Sequence, residues 1–240
     1  MELMLLSSSR TEGTGFLEHA VASLGEFLDT RPPGPVAFAP FAGLAIGYQA
    51  YSERLASVFR PLGRQVISLH ESPEALEDAA AIAVGGGNTF HLLREMRQRR
   101  LLDPVARRVR EGLPYIGWSA GSNLACPGIH TTNDMPIVDP GGFEALGLIP
   151  FRMNPHFYPG KPAGHQGESR EERLEEFLIA HPEEVVLGLP EGTRLRVRGE
   201  QGRIEGGPAQ LFRRQTPPAR IPEETDFPLE HPEQVAVTQT

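Results

Sequence analysis

At 240 residues, 39% of them hydrophobic, the chain is long enough to bury a full core, as one large α/β domain or as two small ones. Its formal charge of −8 argues against nucleic acid or an anionic membrane as a partner, and no stretch approaches the roughly 18 apolar residues of a membrane span. The single cysteine, Cys126, excludes an internal disulfide and a cysteine-based metal knuckle, and an apolar run of four residues behind the acid Glu2 does not make a signal peptide, so a cytoplasmic protein without metal or other cofactor is expected.

Residues 3–6 are an apolar run ended by three serines, and 16–28 carry Phe16, Leu17, Ala20, Val21, Leu24 and Leu28 at helical period. This reads as strand, turn, helix. Arg31-Pro32-Pro33-Gly34-Pro35 breaks the chain before a second strand at 36–38, followed by a helix at 48–59 and a third strand at 66–69. Ser72-Pro73 supplies an N-cap and a first-turn residue for a short helix through Ala79. A buried strand at 80–84 then runs into Gly85-Gly86-Gly87-Asn88-Thr89 and a helix from about 90 to 97, whose Arg97-Gln98-Arg99-Arg100 end reads as solvated. A helix at 104–110 leads to a central strand, 113–118, and a helix candidate, 119–125. Strands alternating with helices at this spacing predict a mostly parallel sheet covered on both faces, with ligands at the carboxyl ends of its strands.

Residues 127–159 are rich in Pro, Gly and Asn, with Asn154-Pro155-His156-Phe157 at the end of a strand candidate. An amphipathic helix follows at 169–180, then strands at 185–189, 194–198 and 210–213 with Gly-rich turns, so the sheet is expected to finish with antiparallel pairing. The expected organisation is a single α/β domain over 1–213 and a Pro-rich acidic tail over 214–240 that is extended or disordered.

The central strand meets its helix with no room for a loop, at Gly117-Trp118-Ser119-Ala120-Gly121. That is the nucleophile-elbow pattern, in which glycines let strand and helix backbones approach around an exposed serine. A serine hydroxyl needs a base, and the base needs orienting. Downstream candidates are His130, His156, His165 and His181, with Asp134, Asp139 and Glu144 as acids, and residue types alone do not choose among them. Gly85-Gly86-Gly87-Asn88-Thr89 exposes backbone N–H groups that could supply an oxyanion donor opposite the Ala120 N–H. It lacks the lysine of a P-loop and does not match the dinucleotide pattern. Cys126 reads as a core residue rather than a thiol nucleophile.

Four motifs carry a resemblance: Gly85-Gly86-Gly87-Asn88-Thr89-Phe90, Tyr115-Ile116-Gly117-Trp118-Ser119-Ala120-Gly121, Thr131-Thr132-Asn133-Asp134-Met135-Pro136 and Asn154-Pro155-His156-Phe157. In this order, from residue 1 to about 207, the chain resembles the peptidase E family, the α-aspartyl dipeptidases of the serine peptidase class. The resemblance implies a class I glutamine amidotransferase-like fold with serine in place of the usual cysteine at the elbow. It also implies Ser119 as nucleophile, His156 as general base, Asp134 as orienting acid and the N–H groups of Gly87 and Ala120 as oxyanion hole. The implied reaction releases N-terminal aspartate from small peptides, chiefly dipeptides, by a homodimeric enzyme.

A buried aspartate side chain on the substrate needs a cation, and the planar fork of arginine suits a carboxylate. The family's loop places Arg170 for this task within Gly164-His165-Gln166-Gly167-Glu168-Ser169-Arg170-Glu171, with Asn88 as a further substrate contact. Two departures stand out: Ser122 where alanine is expected, and the segment Tyr158-Pro159-Gly160-Lys161-Pro162 after the expected base. Competing readings are an esterase or other acyl hydrolase without aspartyl specificity, and a silent protein that binds an acidic ligand in the same cleft.

Overall fold

The computed structural model describes residues 1–29, 32–164 and 166–238. The N-terminal half alternates strand and helix: β1 (Glu2–Leu6), α1 (Val21–Asp29), β2 (Val36–Ala39), α2 (Tyr48–Phe59), β3 (Val66–Ser68), the short α3 (Ala75–Asp78) and β4 (Ala81–Val84). Two helices follow, α4 (Thr89–Gln98) and α5 (Leu102–Arg110), before β5 (Tyr115–Trp118) runs directly into α6 (Ala120–Leu124). The C-terminal half holds β6 (Arg152–Pro155), α7 (Arg170–Ala180), β7 (Val185–Leu189), β8 (Arg194–Arg198), β9 (Gln201–Glu205), β10 (Ala209–Arg213), β11 (Ala219–Ile221), β12 (Asp226–Pro228) and β13 (Val237–Thr238).

The larger sheet has the order β12-β9-β8-β1-β5-β4-β2-β3. Its β1, β5, β4, β2 and β3 pair in parallel, and β8, β9 and β12 extend it antiparallel. Every residue of β2, β4 and β5 is buried, as expected for strands covered on both faces. Alternation along the strands sends side chains to opposite layers. Met4, Leu6, Phe38 and Trp118 meet Leu24 and Phe27 of α1 and Leu55 and Phe59 of α2. Leu3, Leu5, Ala39 and Val84 meet Leu92 and Met96 of α4, Val105 and Val109 of α5, and Leu124 of α6.

The expectation of one sheet is corrected by a second, five-stranded one ordered β13-β11-β10-β7-β6. Strands 185–189 and 210–213 belong to it, and only 194–198 joins the larger sheet. Its parallel pair, β6 and β7, is hard to read because β6 buries Arg152 and Asn154 in place of an apolar run. The charge is matched by Glu184, whose Oε1 lies 2.6 Å from Arg152 Nη2, and the Asn154 amide donates to the Thr131 carbonyl at 2.8 Å. Helix α7 starts where Ser169 and Glu172 form a reciprocal capping box.

The 214–240 segment, expected to be an extended or disordered tail, contributes β11 and β13 to the small sheet and β12 to the edge of the large one. Ile221, Phe227 and Leu229 are buried, and their wide spacing among prolines and acids leaves no period to detect. Among the described residues no helix is long and apolar enough to cross a membrane. Removing a buried aromatic ring costs about 3–5 kcal/mol. Phe227→Ala is therefore expected to lower the urea midpoint clearly, whereas an unshifted midpoint would show that the segment does not contribute to the core.

Candidate active site

Ser119 sits on the turn between β5 and α6 with φ 52 and ψ −110, a conformation that a non-glycine residue adopts only under constraint. The constraint is visible. The Ser119 N–H donates to the Leu6 carbonyl of β1 at 3.1 Å, and its carbonyl accepts from the N–H groups of Ser122 and Asn123. A Cβ at Gly121 would collide with the Val84 carbonyl of β4, so helix and sheet approach here only because that residue is glycine. Ser122 is fully buried, and its hydroxyl donates to the same Leu6 carbonyl at 2.7 Å.

His156 follows β6, its N–H donating to Ser7 Oγ at 2.9 Å while that hydroxyl donates to the Leu189 carbonyl at 2.7 Å. The imidazole then lies with Nε2 2.9 Å from Ser119 Oγ and Nδ1 2.8 Å from Glu191 Oε1. Among the described histidine candidates, His156 is thus the one brought to the serine. His130 and His181 pack against each other and Phe177, where burial lowers the His130 pKa. His165 lies outside the described residues.

Asp134, expected to orient the imidazole, does not touch it. Its Oδ2 accepts from the Thr89 N–H at 2.8 Å, the Thr89 hydroxyl at 2.5 Å and the Thr132 hydroxyl at 3.1 Å, at the N-terminus of α4. The acid on Nδ1 is Glu191, in Leu189-Pro190-Glu191-Gly192 at the carboxyl end of β7. An acid on a tight turn after a strand was the available signal. Asp139 and Glu144 are engaged elsewhere, with the Gly141 N–H and with Arg97.

A cavity of about 710 Å³ opens over Ser119 and His156 and is also lined by Gly87, Asn88 and Asp134. Gly87 has φ 138, and a Cβ there would strike the Ala42 carbonyl, while a Cβ at Gly86 would crowd Trp118 and the Ser119 side chain, so the loop after β4 lies close against the serine. Ala120 is the first residue of α6, beside the serine. Asn88 caps α4, its Oδ1 accepting from the His91 N–H and its Nδ2 donating to the Met135 carbonyl.

Arg170 is not in the cavity wall. It begins α7 with its guanidinium 4.9 Å from the Tyr158 ring centroid and its buried Nε without a hydrogen-bond partner among the described residues. Among the described residues the cations in the wall are Arg10 and Arg54, each a lone arginine on an exposed loop or helix face with no pattern in the sequence to mark it. Behind them Trp118 Nε1–H donates to the Tyr51 hydroxyl, which donates to the Gly86 carbonyl, and burial pushes the Tyr51 pKa up to about 12.

A serine on a strained strand-to-helix turn, an imidazole on its hydroxyl and a carboxylate on the far ring nitrogen form an acyl-transfer constellation. The sequence profile of peptidase family S51 matches residues 3–205. The chain belongs to peptidase family S51. It is a serine-type peptidase. It is 51% identical over 211 residues to Peptidase E of Salmonella arizonae (strain ATCC BAA-731 / CDC346-86 / RSK2980), covering 87% of this chain and 91% of that one. The figures are the same for Peptidase E of Salmonella newport (strain SL254). The crystal structure of a peptidase from an acI-B1 Actinobacterium shares the fold, with a TM-score of 0.70 at 19% identity over 95% of this chain and 96% of that one.

The S51 chain keeps its other candidate nucleophile out of reach. Cys126 is fully buried, and burial pushes its thiol up to about 12. With the thiolate suppressed at pH 8, Cys126 is expected to resist Ellman's reagent in the native protein and react on unfolding in urea. Rapid native labelling would show that the thiol is accessible.

Proposed function

We propose that this peptidase is a dipeptidase that releases N-terminal aspartate from small peptides through an acyl-enzyme. The observation that carries the reading is the run Ser119 Oγ, His156 ring, Glu191 carboxylate at 2.9 and 2.8 Å. In this reading Nε2 takes the Ser119 proton as Oγ attacks the carbonyl carbon of the first residue. The charge that develops on the carbonyl oxygen is received by the Gly87 and Ala120 N–H groups, each worth about 3 kcal/mol of barrier. The imidazolium, held by Glu191, gives its proton to the departing amine, and water then attacks the ester by the same route in reverse.

Aspartate specificity rests on the likeness to proteins named Peptidase E. The position of Arg170 outside the cavity wall favours a second reading, the same chemistry with a broader first residue. A cytoplasmic homodimer completes the proposal on the family resemblance.

Ser119→Ala is expected to abolish turnover of Asp-Leu with an unchanged circular dichroism spectrum, and retained turnover would remove the mechanism. Glu191→Gln is expected to lower kcat by about 10- to 100-fold, because its side chain is 57% exposed and water replaces part of what it supplies. A dipeptide panel with Asp, Glu, Asn and Ala in first position is expected to show Asp preferred, and comparable rates across the panel would establish the broader reading instead.

A further inference from the structure

A carboxylate inside an acyl-transfer cavity is unfavourable unless something positive meets it, because it repels both an acidic substrate and the oxyanion that forms. Asp134 is such a carboxylate. It shares the cavity with Ser119 and His156 but does not orient the imidazole, a position taken by Glu191. Three donors hold its Oδ2, and none of those bonds uses Oδ1. The group is therefore fixed in place while retaining acceptor capacity.

The cavity spans the carboxyl edge of the large sheet, and its walls belong to opposite layers. Asp134 is bonded to the start of α4, in the layer that packs on Leu3 and Leu5. Arg54 projects from α2, in the layer that packs on Met4 and Leu6, with its guanidinium 5.1 Å from the centroid of Phe16. Phe16 is itself set edge-on to Tyr51 and Trp118, so the cation rests on a braced aromatic wall. Arg10 lines the same side, and among the described residues neither arginine is paired with a carboxylate. Ser119, at the end of the central strand β5, lines the same cavity as Asp134 and the two arginines.

We propose that the cavity reads a peptide by its two charged ends. Asp134 takes the α-ammonium of the first residue, and Arg54, with Arg10, takes the free carboxylate of the second. The inference rests on the serine-peptidase reading and deepens it: an N-blocked peptide presents no cation to Asp134, and a longer peptide has no carboxylate where Arg54 stands. Selection of short peptides with free termini is then a property of charge placement, separate from recognition of the first side chain.

The test compares kcat/KM for Asp-Leu, N-acetyl-Asp-Leu and Asp-Leu-amide on the intact wild-type protein and on Asp134→Asn and Arg54→Gln. Losing a charge-assisted contact to a part-buried group corresponds to about 100-fold, and to an exposed arginine about tenfold. Wild type is therefore expected to prefer Asp-Leu about 100-fold over the acetylated and about tenfold over the amidated peptide. Asp134→Asn is expected to collapse the first ratio and keep the second, and Arg54→Gln the reverse. Wild-type indifference to both blocking groups overturns the proposal without any variant, as does an Asp134→Asn protein that loses all three peptides in equal proportion. If the dipeptide panel selects a first residue other than aspartate, the same ratios are measured with that residue, so the aspartate reading can fail while this one stands.

Discussion

The active site depends on one close approach. The peptide planes around Ser119 are forced into a conformation that costs on the order of 1–3 kcal/mol, and it persists only because the surroundings over-determine it. Gly121 lies against the Val84 carbonyl, and the Leu6 carbonyl takes both the Ser119 N–H and the Ser122 hydroxyl. These contacts tie the turn to β4 and β1, the two neighbours of β5 in the sheet. The serine is thereby presented at a fixed angle, and every later step of the chemistry is arranged around that angle.

The imidazole arrives from the other sheet. Ser7, just past β1, accepts from the His156 N–H and donates to the Leu189 carbonyl, so one buried hydroxyl joins the large sheet to both β6 and β7 of the small one. Glu191 stands two residues beyond that junction. Ser119, His156 and Glu191 are thus set by three strand ends held in common, which gives the precision that catalysis by positioning requires. The cavity walls follow the same plan, since each is the end of a helix layer covering one face of the sheet.

The sequence made the N-terminal half legible because each element there announces itself. Apolar runs of four or five residues separated by helical periods define β1 to β5, and Gly-x-Ser-x-Gly at a strand end defines the turn. His156 could be placed by resemblance alone, and it meets Ser119. What stayed hidden has physical causes. The strand β6 buries Arg152 and Asn154, so it has no apolar signature. The last three strands carry isolated apolar residues among prolines and acids, with no period to mark them. Asp134 and Glu191 are both acids on turns near the serine in space, and only coordinates distinguish the one bonded to α4 from the one bonded to the imidazole.

The junction at Ser7 also bears on when the chain becomes a protease. Ser7, Ser119, His156 and Glu191 span 185 positions from first to last, and they come together only after two separate sheets have formed and docked. A partly synthesised chain that ends before β7 has the serine but neither the acid nor the Leu189 carbonyl that fixes the hydroxyl beneath the base. The contacts that bring Ser119, His156 and Glu191 together are in this way coupled to completed assembly: they form only once the second half has closed onto the first.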